Sequence, residues 1–125
     1  MRLPYRLGVS PKLGTRGLIA TQIIKSQQIL ENCPLILIPK NEEIYLKNTI
    51  LHNFYCKWNN NYISLILGYG SLINHSNHPN ADFRINKTTK QFTIYTIRTI
   101  YPQEEITINY KKSFIFSLKD KLDIS

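Results

Sequence analysis

The stretch "GYGSLINHSNHPN" (68–80) begins as an apolar run with glycines and ends in side chains that donate or accept hydrogen bonds. Asn74, His75, Ser76, Asn77, His78 and Asn80 crowd into its second half. A plain surface turn does not need so many. Two further segments carry groups of interest. "LGTRGLIA" (13–20) holds Gly14 and Gly17, which open backbone paths closed to other residues and expose N–H and C=O groups to a close ligand. "EEITINY" (104–110) places Ile106, Ile108 and Tyr110 on one face, the pattern of a half-buried strand.

Several chemistries are disfavoured at once. His75 and His78 stand three apart, and a metal ion needs more ligands. Cys33 and Cys56 lie far away in sequence, so we expect no metal and no disulfide framework. No G-x-S-x-G elbow is present for a Ser–His hydrolase. The glycine turn lacks the spacing and the following helix of a dinucleotide fingerprint, and it is not a P-loop. Glu104 and Glu105 are neighbours on a strand and face opposite ways, so they do not form a paired carboxylate site. The plain alternative for 74–80 is a polar loop whose Asn and Ser side chains satisfy local backbone.

The elements that must position these groups read as short strands with turn punctuation. A chain of 125 residues suits one domain with a real core. Its hydrophobic share of 42% and charged share of 19% suit a folded protein. "GLIATQII" (17–24) and "QILENCPLILI" (28–38) are rich in Ile and Leu. Pro34 makes the second an edge strand or two pieces. "NEEIYLKNTILHNFYCKW" (41–58) is the best helix, with Asn41 as cap. "YISLILGYGSLI" (62–73) reads equally as strand or short helix. "ADFRI" and "QFTIYTIRTI" flank the turn "NKTTK" as a hairpin. The expected fold is mainly β with one helical insert.

The order and spacing of "GTRGLIA" (14–20), "INHSNHPN" (73–80) and "EEITINY" (104–110) resemble the SET-domain family of protein lysine methyltransferases. The resemblance covers nearly the whole chain. It is closest to the minimal viral and bacterial SET proteins, which lack zinc-binding flanks. It implies a β-clip fold of short sheets with a C-terminal pseudoknot and a small helical insert. The domain would span 1–125, with a core at about 5–110, the insert at about 41–60 and a tail at 111–125. The implied cofactor is S-adenosylmethionine, held by Arg16, Gly17, Asn74, His75 and Tyr110. Tyr110 matches the family's catalytic tyrosine. Tyr55, Tyr69, Phe83 and Ile108, with Phe114 and Phe116 of the tail, would wall the lysine channel. Gln103 stands where the family's turn usually carries Gly. If that turn needs a positive φ, Gln103 is strained or the turn differs.

The resemblance implies a lysine-bearing protein substrate, a histone first, and a homodimer by analogy with the viral proteins. The net charge of +8 favours anionic partners and sits awkwardly with a basic histone tail. No Arg-rich block or RNA-recognition motif is present, so direct nucleic-acid binding stays open. No apolar leader or membrane-length run occurs, and the expected setting is soluble and intracellular. For a viral protein or a secreted bacterial effector it would be the host nucleus, otherwise the cytoplasm. Two other readings stand beside the enzyme: a SET fold that binds without turnover, and a small nucleic-acid-binding β-domain.

Overall fold

The computed structural model describes residues 2–112. The expected tail walls Phe114 and Phe116 lie outside the described residues. Two sheets carry the fold. The first has four strands: β1 (Tyr5–Val9), β2 (Arg16–Ala20), β6 (Asn74–His75) and β9 (Glu105–Ile108), in the order β1-β2-β9-β6. The second has five: β3 (Ile29–Pro39), β4 (Tyr55–Lys57), β5 (Tyr62–Ile66), β7 (Ala81–Asn86) and β8 (Gln91–Thr96), in the order β4-β5-β3-β8-β7.

β3 is the spine of the second sheet. It runs through Pro34 as one continuous strand, but its two halves on either side of Pro34 pair with different partners. Its first half pairs with β8 and its second half with β5. Pro34 sits at the handover, opposite Gln91, where a missing N–H does little harm. Leu35 N–H then reaches the Lys90 carbonyl, and the Pro34 carbonyl accepts from Leu67 N–H. The expected hairpin forms as β7 and β8. Its turn is held by the Asn86 side chain, which accepts from Thr88 and Thr89 N–H at 3.0 Å each.

The core lies between the sheets. Leu18, Ile24, Ile66, Ile73, Phe83, Phe92, Ile94, Ile100, Ile106 and Ile108 are fully buried there. The Phe83 and Phe92 rings stack with centroids 4.9 Å apart. β9 alternates as its sequence pattern requires, with Ile106 and Ile108 inward and Glu105 and Thr107 turned the other way.

The single helix expected over 41–58 is instead four short pieces. A 3₁₀ turn (Lys40–Glu42) leads into α1 (Glu43–Lys47), a second 3₁₀ turn covers Ile50–Asn53, and β4 follows. The Asn41 cap does not form. Asn48 and Thr49 divert the chain. Asn48 Nδ2 donates to the Ile44 carbonyl, and Thr49 Oγ1 donates to the Leu46 carbonyl while accepting from Leu51 N–H. Such side chains offer the backbone an alternative to helix. Ile44 and Ile50 are 61% and 77% exposed. Both readings of 62–73 hold in part, since β5 passes into a 3₁₀ turn at Gly68–Leu72.

The turn before β9 does require a left-handed residue, and Gln103 takes it at φ 75°. Pro102 precedes it, and Glu104 N–H closes the turn on the Tyr101 carbonyl at 3.0 Å. This is type II turn geometry, where glycine is favoured. A side chain there costs about 1–2 kcal/mol, partly offset by the extra freedom glycine has when unfolded. Gln103→Gly should therefore raise stability by roughly 0.5–1 kcal/mol, read as a higher urea midpoint. An unchanged or lower midpoint contradicts the strain.

Candidate functional site

The site is built around the last strand. β6 is two residues long and runs parallel to β9, with Asn74 opposite Thr107 and His75 opposite Ile108. Two residues are too few to hold a strand. Ser76 N–H adds a bond to the Ile108 carbonyl at 2.9 Å. Asn80, only 3% exposed, supplies the rest. Its Nδ2 donates to the Glu105 carbonyl at 2.8 Å, and its Oδ1 accepts from Thr107 N–H at 2.9 Å. The side-chain amide thus stands in for a peptide group and pairs β9 where no strand continues.

His75 fixes the end of β9. Its Nδ1 accepts from Tyr110 N–H at 2.9 Å. An N–H can only donate, so Nδ1 is bare and the proton sits on Nε2. Nε2 then donates to Asn77 Oδ1 at 3.1 Å. Burial holds the imidazole below its ordinary pKa, with Lys111 and Lys12 adding to the effect. Tyr110 is 6% exposed, and its hydroxyl donates to the Ile73 carbonyl. Burial pushes its pKa well above the usual tyrosine value, so the phenol stays protonated.

Glu105 ties in the N-terminal turn. Its Oε2 accepts from Asn74 Nδ2 at 2.7 Å, and its Oε1 accepts from the Ser10 hydroxyl. Asn74 Nδ2 also donates to the Arg16 carbonyl at 2.9 Å. Gly17 is required beside them. A Cβ there would lie 2.4 Å from Glu105 Oε2 and 2.8 Å from Asn74 Nδ2. Both amide protons of Asn74 are committed, which leaves Oδ1 as its group for a ligand. A cleft of about 270 Å³ opens alongside, lined by residues that include Lys12, Leu13, His75, His78 and Arg98.

Arg16, Gly17, Asn74, His75 and Tyr110 therefore come together from three distant parts of the chain. The channel residues are more scattered. Phe83 and Ile108 are fully buried in the core. Tyr69 packs against that core from the Gly68–Leu72 turn and meets Tyr5 edge-on at 5.4 Å. Tyr55 is buried on β4, its hydroxyl donating to Glu43 at 2.9 Å. Sequence reasoning missed Ser10, Asn80 and Glu105 as parts of the site. The facing rule for adjacent strand residues does separate the two glutamates. Glu104 meets Arg98 at 3.7 Å while Glu105 turns to Ser10 and Asn74. That rule excludes a carboxylate pair, yet it leaves one carboxylate aimed at "NHS".

The neutral His75 has a measurable consequence. Its pKa is depressed in the folded state, so its contribution is present above the unfolded value of about 6.5. It is lost as pH falls below that value toward the depressed one. The urea midpoint should fall between about pH 7 and pH 5, and fall less in His75→Gln. Equal slopes for both proteins contradict the assignment.

Comparison with known proteins agrees with this arrangement. A model of the SET domain family matches residues 15–111. A histone-lysine N-methyltransferase of Schizosaccharomyces pombe, H3 lysine-37 specific, is 31% identical over 111 residues, covering 88% of this chain and 75% of the relative. The crystal structure of a candidate histone methyltransferase of Plasmodium falciparum superposes with a TM-score of 0.70 at 30% identity, covering 91% of this chain and 98% of that one. A humanized mutant of the Chaetomium thermophilum Polycomb Repressive Complex 2, bound to the inhibitor GSK126, shares the fold with a TM-score of 0.73 at 20% identity, over 91% of this chain and 16% of the other. With the family model spanning most of the chain and its motifs meeting at one place, the chain belongs to the SET domain family.

Proposed function

We propose that this chain is a protein-lysine N-methyltransferase that draws its methyl group from S-adenosylmethionine. The observation that carries the reading is the convergence of Arg16, Gly17, Asn74, His75 and Tyr110 around Glu105, in a chain related to a histone-lysine methyltransferase. The donor set suits the cofactor. Asn74 Oδ1 can accept from an ammonium, and Leu13 and the His75 ring give the cleft apolar surface. When bound, S-adenosylmethionine supplies an electrophilic methyl group for in-line attack by a neutral amine, with the N–C bond forming as the C–S bond breaks.

The chain's own groups must present that amine. Both His75 nitrogens are committed and Tyr110 stays protonated, so neither serves as a general base. The target ammonium loses its proton to water. Desolvation favours its neutral form. The Tyr110 hydroxyl spends its proton on the Ile73 carbonyl, so in this reading its oxygen serves the reacting groups as an acceptor. The proposed substrate is a lysine-bearing protein segment, with a histone as first candidate and a second copy of the chain as partner. Residues 1–125 form one domain in this reading. Among the described residues no helix is long and apolar enough to cross a membrane. The reading places the protein in the nucleus or cytoplasm.

Tyr110→Phe should cut methyl transfer by about a hundredfold or more, the scale for losing one pre-placed polar group. Cofactor affinity should change less. Transfer of labelled methyl to protein in cell extract measures it, and near-native turnover in the variant contradicts the role.

The degree of methylation follows from hydroxyl placement. A tyrosine hydroxyl in the channel can pin a water or the amine and leave no room for further methyls. Phe83 and Ile108 occupy the two positions that would carry it, and neither has a hydroxyl. Product should proceed to di- and trimethyllysine, and Phe83→Tyr should shift it toward monomethyl. Mass spectrometry of peptide under excess cofactor decides it, and a native product that halts at monomethyl contradicts it.

A further inference from the structure

We infer that Glu31 is a positioning residue for methyl transfer: it sets the Gly68–Leu72 turn and, through that turn, the Ile73 carbonyl that takes the Tyr110 hydroxyl. The inference rests on the methyltransferase reading and adds to it a residue that acts from the second sheet.

The backbone aims this carboxylate inward. β3 pairs with β8 as Ile29 to Tyr95 and then Glu31 to Ile94, so Leu30 is an extra residue in the ladder. Uninterrupted pairing would set Leu30 opposite Ile94 and put Glu31 on the other face. The bulge instead gives Glu31 the face of the fully buried Ile94. A carboxylate turned toward the core needs partners.

Glu31 finds them on three elements. Its Oε1 accepts from the Tyr5 hydroxyl of β1 at 2.8 Å, and its Oε2 accepts from Tyr69 N–H of the turn at 3.2 Å. Cys33, two residues along β3, has its Sγ 3.5 Å from Oε2. Burial, and after it Glu31, push that thiol up to about 12, so it keeps its proton. All three donors are neutral, and Glu31 has no ion pair among the described residues. Its bonds fix geometry.

The turn is shaped to this contact. Gly68 has φ 69°, and a Cβ there would lie 2.2 Å from Glu31 Oε2. A Cβ on Gly70 would lie 2.8 Å from Cys33 Sγ. The sequence "GYG" thus lets the backbone close on the carboxylate and the thiol. Tyr69 stands between the glycines, its N–H on Glu31 and its ring edge-on to that of Tyr5, whose hydroxyl the same carboxylate holds. Ile73 follows the turn directly, and its carbonyl accepts from the Tyr110 hydroxyl. When the turn shifts, the acceptor that orients the Tyr110 oxygen shifts with it. A displacement of about 1 Å at a reacting group costs up to roughly a hundredfold in rate.

The test compares Glu31→Gln, which keeps an acceptor for Tyr69 N–H, with Glu31→Leu, which has similar bulk and no acceptor. Transfer of labelled methyl to protein in heat-treated cell extract is measured at saturating S-adenosylmethionine, well below the melting temperature of each variant. Calorimetry gives cofactor affinity, and amide hydrogen exchange follows residues 69–76. Glu31→Leu should cut the saturated rate by about tenfold or more while cofactor affinity stays within about twofold. Exchange over 69–76 should quicken in the same variant. Glu31→Gln should stay within about threefold of the native rate. A folded Glu31→Leu that transfers methyl at the native rate overturns the inference and leaves the methyltransferase reading intact. So does a Glu31→Gln that fails as badly as Glu31→Leu, or a loss of cofactor affinity in step with the rate. Should Glu31→Leu not fold, Tyr5→Phe removes one tether of the carboxylate and keeps the ring; it should lower the rate by about threefold or more, and a native rate there overturns the inference. A native chain that transfers no methyl group sinks the methyltransferase reading, and the inference falls with it.

Discussion

The site depends on how one short strand is held. Glu105–Ile108 has β2 on one side for only two residue pairs and β6 on the other for two. Backbone pairing of that extent does not fix a strand by itself. The Asn80 amide completes it, donating to one β9 carbonyl and accepting from one β9 N–H. His75 then catches the N–H of Tyr110, and Ser76 catches the carbonyl of Ile108. The cost of burying so many polar groups is met because each finds a partner. The same bonds set the direction of Tyr110 and the height of Glu105 against Gly17. Structure and chemistry are therefore not separate demands on residues 74–80. Holding the strand is how the segment makes the site.

The electrostatics follow from the same arrangement. Glu105 is held by donors from Ser10 and Asn74 rather than by a cation. His75 is kept neutral, and Tyr110 is kept protonated by burial. Neither His75 nor Tyr110 is poised to move a proton at neutral pH. That suits a displacement in which placement and desolvation supply the rate.

Much of the fold was legible in the sequence where local and global preferences agree. The alternating Ile106, Ile108 and Tyr110 mark β9, and "NKTTK" marks the hairpin turn. The motifs at 14–20, 73–80 and 104–110 marked which segments converge. Three things were hidden. The insert looked helical because its apolar residues are spaced that way, but Asn48 and Thr49 redirect the backbone by side-chain bonds that periodicity does not weigh. Pro34 looked like a break because its consequence depends on which strand lies opposite, and that is a property of the whole sheet. Asn80 looked like one loop polar among several, and Ser10 drew no reading, because their partners lie 25 to 95 residues away. Gln103 is the opposite case. The glycine usual at its place made a left-handed residue one of two possibilities, and the structure has one.

The central claim is that Asn74 and His75 face a bound S-adenosylmethionine. Titration calorimetry with that compound tests it most directly, on the native chain and on Asn74→Ala, with thermal melting to verify that both are folded. The account predicts about one site per chain, and an affinity lowered by tenfold or more in the variant, the scale for losing one bond to a charged group. A folded native chain that releases no heat of binding, or a folded variant that binds as tightly as the native chain, would contradict it.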